Sequence, residues 1–399
     1  MIFGKSKKNR TFVDRIFSFV KMRTIFFFIV FFLLYIGAHF YLCRRIIQLL
    51  PVDTILLRVI VIGAIAFSAL SLFFFFLLSE RMSVSLASFF HTLGVSWLIV
   101  LAYLLLAFLL IDIVKLVNYL FNFVDKEVVH RLTRTNWKTL AVVLGSVTLL
   151  LIYANRVYEH KVRVHLVIET GKWYENTKPI RIVGISDVHL GYSINTRELT
   201  QWVELINNEN PDIVLIAGDF IDNSIRPLDY FGLDAILREI NAPMGVFAAL
   251  GNHEYISGIK GSLAFFERSN ITVLRDSVAI FDNLQIIGRD DYSQRHRKTI
   301  EQLTDNLDFS KFTILLDHQP FHLDDAVRAN IDFQFSGHTH RGQIFPFTLI
   351  VDAMYELSHG YMKRENTHFY VSSGLGIWGG KFRVGTQSEF VVIDVKPSR

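Results

Sequence analysis

Four long apolar runs dominate the first 155 residues, roughly Thr24–Cys43, Thr54–Leu78, Val95–Leu120 and Leu140–Tyr153. A helix of ~20 apolar residues crosses the hydrocarbon core of a bilayer, so these runs predict an α-helical membrane region of about four transmembrane helices. The fourth is the shortest. The first is too long, and lacks a small-residue cleavage site, to be a cleaved signal peptide. Arg58 lies near the start of the second run, where it snorkels to the interface. Asp112 and Lys115, three residues apart near the end of the third, share a helix face and can pair. Interfacial anchoring accounts for these charges more simply than a polar pathway. Cys43, the single cysteine, falls in the first run. It excludes an intramolecular disulfide framework and reads as a small apolar residue.

Composition divides at the same place. Up to His160 there are 17 Lys and Arg against 7 Asp and Glu, and after it 24 against 30. The overall charge of +4 therefore belongs to the apolar half. An acidic C-terminal half gives no footprint for nucleic acid. It would meet an anionic substrate through bound cations or a few placed Arg and Lys. Lys5, Lys7, Lys8, Arg10, Arg15, Lys21 and Arg23 precede the first run and place the N-terminus in the cytoplasm of an inner or plasma membrane. With four spans the C-terminal half returns to that side. Lys126, Arg131, Arg134 and Lys138, between the third and fourth runs, are a counter-signal.

From Lys161 the pattern changes. Val162–Glu169 alternates as a half-buried strand does. Arg181–Ser186, Asp212–Ala217, Gly245–Leu250, Phe312–Leu316 and Ile331–Phe335 are short apolar runs, with helical stretches at Thr196–Asn207 and Pro227–Ile240. Strands alternating with helices imply a layered α/β fold. Val278–Phe281, Leu284–Ile287, Phe369–Val371 and Phe390–Val395 suggest a second sheet packed on the first. The expected division is a multi-pass region over 1–155 and an α/β domain of two mixed sheets flanked by helices over 156–399.

Five of these strands end in metal-capable residues. They are followed by Asp187-Val188-His189, by Gly218-Asp219-Phe220-Ile221-Asp222, by Gly251-Asn252-His253-Glu254, by Asp317-His318, and by Gly337-His338-Thr339-His340. Ligands of open α/β sheets gather at the carboxyl ends of strands, so the five ends converge on one site. Carboxylate oxygen with imidazole nitrogen suits Mn²⁺, Fe or Zn²⁺ better than Ca²⁺ or Mg²⁺ alone. Asp219 can bridge two ions. Two ions ~3.5–4 Å apart can clamp phosphoryl oxygens during in-line displacement. Gly218, Gly251 and Gly337 sit where a side chain would crowd the site.

The ordered blocks Asp-x-His, Gly-Asp-x-x-Asp, Gly-Asn-His-Glu, His and Gly-His-x-His resemble the calcineurin-like metallophosphoesterase family over about Pro179–Val395. The intervals Asp187–Asp219 and Asp219–Asn252, 32 and 33 residues, are normal for that family. The resemblance implies two divalent ions, manganese first, with iron or zinc accepted. Asp187, His189, Asp219 and His340 would bind one; Asp219, Asn252, His318 and His338 the other. A metal-bridging hydroxide would be the nucleophile. His253 would sit by the phosphate and protonate the leaving oxygen, with Asp222 orienting it. Gly337–Gln343 and Val371–Gly376 resemble the family's membrane-associated phosphohydrolase branch. Many members of that branch have Gly in place of Arg341, and Arg341 is either a phosphate contact or an outward surface residue.

His322, His359 and His368 lack a block and read as structural. Asp290, Asp291 and Asp317 read as surface or turn acids. Trp378, beside Gly379 and Gly380, reads as a packed aromatic, with a substrate loop or a membrane-interface anchor as alternatives. The function implied is hydrolysis of a phosphodiester or pyrophosphate bond in a lipid-linked substrate at the membrane, such as a nucleotide-linked glycolipid of the UDP-diacylglucosamine type. One alternative is a tethered phosphodiesterase or phosphatase for soluble nucleotides or phosphoproteins, though one span would suffice for a tether. The other is a non-catalytic membrane scaffold or sensor, disfavoured by the complete residue set.

Overall fold

The computed structural model describes residues 6–51, 53–134, 136–174 and 177–398, with side chains at 26 and from 29 onward. Of the N-terminal basic cluster, Lys5 lies outside the described residues, as do the side chains of Lys7 to Arg23. Five helices come first: α1 (Ser6–Leu49), α2 (Ile55–Leu78), α3 (Val84–Phe121), the short α4 (Lys126–Thr133) and α5 (Trp137–Glu159). Stretches within α1, α2–Arg81, α3 and α5 are long and apolar enough to cross a membrane: Ile29–Leu49, Ile55–Arg81, Val84–Phe121 and Trp137–Glu159. The fourth is thus longer than its apolar run, because Trp137–Thr139 and Ala154–Glu159 continue the helix.

The chain forms two compact units, one of residues 1–71 and 97–149, the other of 72–96 and 150–399. In the first unit, Asp112 of α3 meets Arg45 of α1 at 3.2 Å, Tyr41 Oη at 2.6 Å and Lys115 at 3.8 Å. The Asp112–Lys115 pair forms, but Asp112 also ties α1 to α3. Arg58 donates to the carbonyls of Leu50 and Pro51 and closes the turn between α1 and α2.

The second unit holds both sheets and the α2–α3 turn. Phe75, Val84 and Ala87 bury against Tyr192, and the Arg226 guanidinium donates to the carbonyls of Ser79 and Met82. A Cβ on Gly94 would lie 2.5 Å from the Leu72 side chain; that glycine lets α2 and α3 close on each other.

The first sheet contains β1 (Lys161–Thr170), β2 (Ile180–Ile185), β3 (Ile213–Ala217), β4 (Val246–Ala249), β5 (Thr272–Val273) and, from the far end of the chain, Ser388–Pro397. The second contains β6 (Ser277–Ile280), β7 (Leu284–Gly288), β8 (Phe312–Leu316), β9 (Phe333–Ser336), β10 (Gly360–Arg364) and β11 (Thr367–Val371). With Ser388–Pro397 as β12, the orders are β1-β12-β2-β3-β4-β5 and β10-β11-β9-β8-β7-β6. Phe390–Val395 therefore lies inside the first sheet, parallel to β1 and antiparallel to β2, and not in the second as its position after β11 suggested. Its Val391, Ile393 and Val395 face the second sheet while Phe390 and Val392 face helices. Burial on both faces removed the alternation that would have placed it.

The helices are α6 (Thr196–Asn208), α7 (Arg226–Phe231), α8 (Leu233–Leu237), α9 (Asn252–Ile256), α10 (Ile259–Arg268), α11 (Ile300–Thr304), α12 (Leu323–Arg328) and α13 (Phe347–Met354). A two-residue period sorts the inner strands: Ile213, Leu215 and Ala217 of β3 face the second sheet, and Val214 and Ile216 face α6, α8 and α10. On the outer face of the second sheet, Leu315 and Ile287 pack on α11 and α12. The result is a helix–sheet–sheet–helix sandwich. Gly184 makes room between the sheets for the Phe335 ring, 2.8 Å from where its Cβ would stand. The expected helix Pro227–Ile240 is broken at Gly232, which is left-handed at φ 62 and ends α7.

Candidate metal centre

Each strand end delivers its residues through a tight turn. Asp187, His189, Asp219, His338 and His340 all have positive φ, between 46 and 71. Non-glycine residues rarely adopt it, and such strain clusters at functional sites. The turns aim side chains back over the ends of β2, β3 and β9. Close packing fixes them: a Cβ on Gly337 would stand 2.2 Å from Asp187 Oδ2, and one on Gly251 would stand 2.2 Å from Asp219 Oδ1.

Three groups of converging donors result: Asp187, His189 and His340; His189, Asp219 and His253; Asp219, His318 and His338. His189 Nε2 and His340 Nε2 face each other at 3.1 Å, and His340 Nε2 is 3.4 Å from Asp187 Oδ1. Asp219 Oδ2 lies 3.1 Å from His318 Nε2 and 3.9 Å from His189 Nε2. Asp219 is thus shared between two groups. Asn252 begins α9 beside them, its Oδ1 buried without a hydrogen-bond partner.

The donor set fits divalent cations. His318 Nδ1 donates to the Ala217 carbonyl at 2.8 Å, which points Nε2 at the Asp219 carboxylate in a fully buried place, where a proton or a cation must lie between them. His318 Nε2, His340 Nδ1 and Asn252 Oδ1 are buried and unpartnered. Buried polar atoms without partners are rare in native proteins and call for an ion or a proton. Electrostatics point the same way. Burial drives the His340 ring well below its ordinary range and His338 down to about 4, so both present lone pairs. Burial pushes the Asp187 carboxyl up. In Asp219 the imidazolium of His318 outweighs burial and holds the carboxyl far below its usual range.

His253 converges with His189 and Asp219 but is held by a different set of bonds. Its backbone N–H donates to Asp219 Oδ1 at 2.9 Å, and its Nδ1–H to the Asp222 main-chain carbonyl at 2.7 Å, with Asp222 Oδ1 at 3.3 Å. Nε2 is left free. Burial opposes charge on this ring, but Asp222 and Asp219 outweigh it and lift its pKa to about 9. Asp222 is also 3.4 Å from His189 Nδ1. Arg341 adjoins His340, but its half-exposed guanidinium points at Asp352 of α13, 4.0 Å away.

Several residues of the site carried no sequence signal. His91 of α3 is buried, bonded through Nδ1 to Ser193 Oγ at 3.0 Å, with Nε2 4.0 Å from Asp222 Oδ2. Glu254 accepts from the N–H groups of Asp219, Ile221 and Gly251 and staples the β3 and β4 loops together. Its place after Gly-Asn-His marked it as part of a block without showing that task. The fully buried Arg383 donates to the carbonyls of Ser373, Gly374 and Gly376, the loop that packs against Asp187 and Val188. The acids expected at the surface are buried. Asp317 receives Arg289 and Arg297 at 3.0 and 3.1 Å, Asp290 receives Arg275 at 2.7 Å, and Asp291 receives Gln319 at 2.9 Å. Buried acids survive when paired, and their arginines come from the loop after β7 and from Arg275. His359 bonds buried Glu389 at 3.1 Å and His368 bonds Tyr361 Oη at 2.8 Å, both structural contacts.

Comparison with known proteins agrees with this architecture. The calcineurin-like phosphoesterase family profile matches residues 180–342. A metallophosphoesterase of Aquifex aeolicus is 33% identical over 266 residues, 64% of this chain and 98% of that one. One from Helicobacter pylori is 35% identical over 226 residues, 55% of this chain and 60% of that one. A Danio rerio transmembrane protein with metallophosphoesterase domain is 30% identical over 274 residues, 64% of this chain and 62% of that one. The chain belongs to the calcineurin-like metallophosphoesterase family. It spans about 60% of the length of the first curated relatives it matches.

Proposed function

We propose that this chain is a membrane-anchored, two-metal phosphoesterase that hydrolyses a phosphodiester or pyrophosphate bond of a lipid-linked phosphate. Asp187, His189, Asp219 and His340 would hold one divalent ion; Asp219, Asn252, His318 and His338 would hold the other. Bound there, the ions supply Lewis-acid polarisation of the phosphoryl oxygens and acidify a water nucleophile. Manganese suits the mixed nitrogen and oxygen donors, as iron and zinc do.

The protein's own groups do the rest. His253, anchored through Nδ1, would offer Nε2–H to the leaving oxygen. Asp222 fixes that ring and favours its charged form, as a carboxylate behind a catalytic imidazole does. Glu254 and Arg383 hold the loops that carry Asp219 and Asp187.

The observation that favours a substrate at the membrane is His91. A membrane hairpin residue reaches behind Asp222, so the catalytic machinery is built partly from the hairpin. A simple tether needs no such contact. The α2–α3 turn and the end of α5 belong to the same unit as the site, as two crossings between them require. With four crossings the N-terminus lies on the catalytic side, and its basic residues make that side cytoplasmic.

The test is turnover by the full chain with Mn²⁺ on detergent-solubilised lipid phosphodiesters and pyrophosphates, against soluble nucleotides and an aryl phosphodiester. Preference for the lipid by about tenfold or more in kcat/KM supports the proposal. Cleavage of soluble nucleotides alone contradicts it. Deleting residues 1–155 is a poor test, because it strips Phe75, Val84 and Ala87 from Tyr192.

A further inference from the structure

Helix α13 follows the His338–Gln343 turn and turns its apolar side chains outward. Ile344, Thr348, Val351 and Tyr355 form the face toward the protein, one residue per helical turn. The other face carries Phe347, Leu349, Ile350 and Met354, with 49, 61, 54 and 67% of their surface exposed. The helix has no Lys, Arg or Glu. Its one charge, Asp352, accepts from Ser358 Oγ and faces Arg341, so it is held back against the protein. Apolar patches on soluble surfaces are seldom contiguous at this density and mark a binding surface.

The surroundings say what covers it. The strand-like stretch beside α13 connects it to the membrane segments of the same unit. Phe345 N–H donates to the Val384 carbonyl at 2.8 Å, and Gln343 to the Gly380 carbonyl. One residue either way along that stretch, Arg383 N–H donates to the Ala154 carbonyl of α5, and Asn155 donates to the Lys381 carbonyl. A Cβ on Gly379 would stand 3.8 Å from the Val95 side chain of α3, and the neighbouring Trp378 is 59% exposed. Exposed Trp is favoured at membrane–water interfaces. The ends of α3 and α5 therefore flank the loop on which α13 rests, and Ile152 and Tyr153 of α5 are exposed as lipid-facing side chains are.

The other end of α13 leads to the site. Tyr355 lies 6.4 Å from the His338 ring and stacks on Phe321 at 5.2 Å, and Phe321 meets Tyr292 at 5.1 Å. An aromatic group thus joins the C-terminal end of α13, at Tyr355, to His338 of the second donor group.

We propose that α13 lies in the plane of the bilayer interface, its Phe347–Met354 face among the acyl chains, and that it delivers a lipid-borne phosphate past the Tyr355–Phe321 pair. The occupant is the bilayer the chain already spans. Amphipathic in-plane helices bury such faces at the headgroup boundary. The delivery half rests on the lipid substrate proposed above; the position of the helix does not.

Two measurements on the full chain separate these. In a Cys43→Ser background, Ile350→Cys and the exposed Ser310→Cys are each labelled with an environment-sensitive fluorophore in phosphatidylethanolamine–phosphatidylglycerol nanodiscs. The label at 350 is expected to emit to the blue of that at 310, to be quenched by nitroxide-bearing lipid, and to resist iodide. Water-like emission with equal iodide quenching overturns the proposal. So does blue emission that nitroxide lipid leaves unchanged, which would mean that a second copy or another protein covers the face. Then Leu349→Glu with Ile350→Glu is expected to lower kcat/KM on a lipid phosphodiester by about tenfold and leave the soluble aryl phosphodiester within about twofold. Equal loss on both substrates overturns the delivery role. If the wild type cleaves no lipid phosphate, the function proposed above fails while the quenching result still locates the helix.

Discussion

At the level of single residues, His253 and the glycines carry the sharpest expectations. His253 hydrogen-bonds Asp219 through its backbone N–H, and its ring is hydrogen-bonded by Asp222. His253→Ala should therefore cost about 10²–10⁴ in kcat, the usual worth of a placed general acid. Metal content by elemental analysis should match the wild type; loss of both ions would place His253 among the ligands. Gly337→Ala should do the reverse. A methyl 2.2 Å from Asp187 Oδ2 cannot be absorbed without moving that carboxylate, so if Asp187 holds an ion as proposed, metal content should fall along with activity. Glu389 supplies a pH test. Burial would raise its carboxyl, but the His359 hydrogen bond outweighs burial and lowers it. The stability it contributes is full above the unfolded carboxyl pKa of about 4.3 and lost as pH falls through the lower native value. Glu389→Gln should lower Tm at pH 7 and flatten its acid dependence between about pH 5 and 3. A parallel shift of the whole profile would mean that the lost contacts, and not the charge, matter.

At the level of elements, the hairpin of α2 and α3 is the part with most at stake. His91→Ala removes the imidazole behind Asp222 and also a ring packed on Phe75 at 4.7 Å, whereas His91→Gln keeps most of that volume. Since His91 does not contact the donor groups, kcat should drop several-fold, about 1 kcal/mol of lost positioning, with metal content unchanged and His91→Gln recovering part of it. Unchanged kcat would reduce the hairpin to an anchor. This scale also shows what sequence can and cannot disclose. The five strand ends were legible because metal chemistry admits few residue types and β–α turns repeat. β12 was misassigned because a strand buried on both faces has no polar rhythm. The buried acids were misread because Asp317 and Arg297 are 20 residues apart in the chain, and only the fold pairs them. His91 was invisible for the same reason: a lone histidine in an apolar run says nothing of Asp222, 131 positions away.

For the molecule as a whole, the two units divide the work unevenly. The unit with the metal centre takes in the α2–α3 hairpin and the end of α5, so membrane and catalytic parts are not separable modules. That predicts cooperative behaviour: Arg226→Ala, which removes the donors to the Ser79 and Met82 carbonyls, should increase protease sensitivity at the α2–α3 turn and lower activity together. Cleavage at the turn with full activity would show the parts to be independent.

In the proposed dinuclear centre Asp219 serves both ions. Elemental analysis of the full-length protein, purified with Mn²⁺ and desalted, tests it most directly. About two ions per chain are expected, falling well below one in Asp219→Ala with phosphodiesterase activity lost in step. A wild-type chain that holds no stoichiometric metal and keeps its phosphodiesterase activity in excess chelator would contradict it.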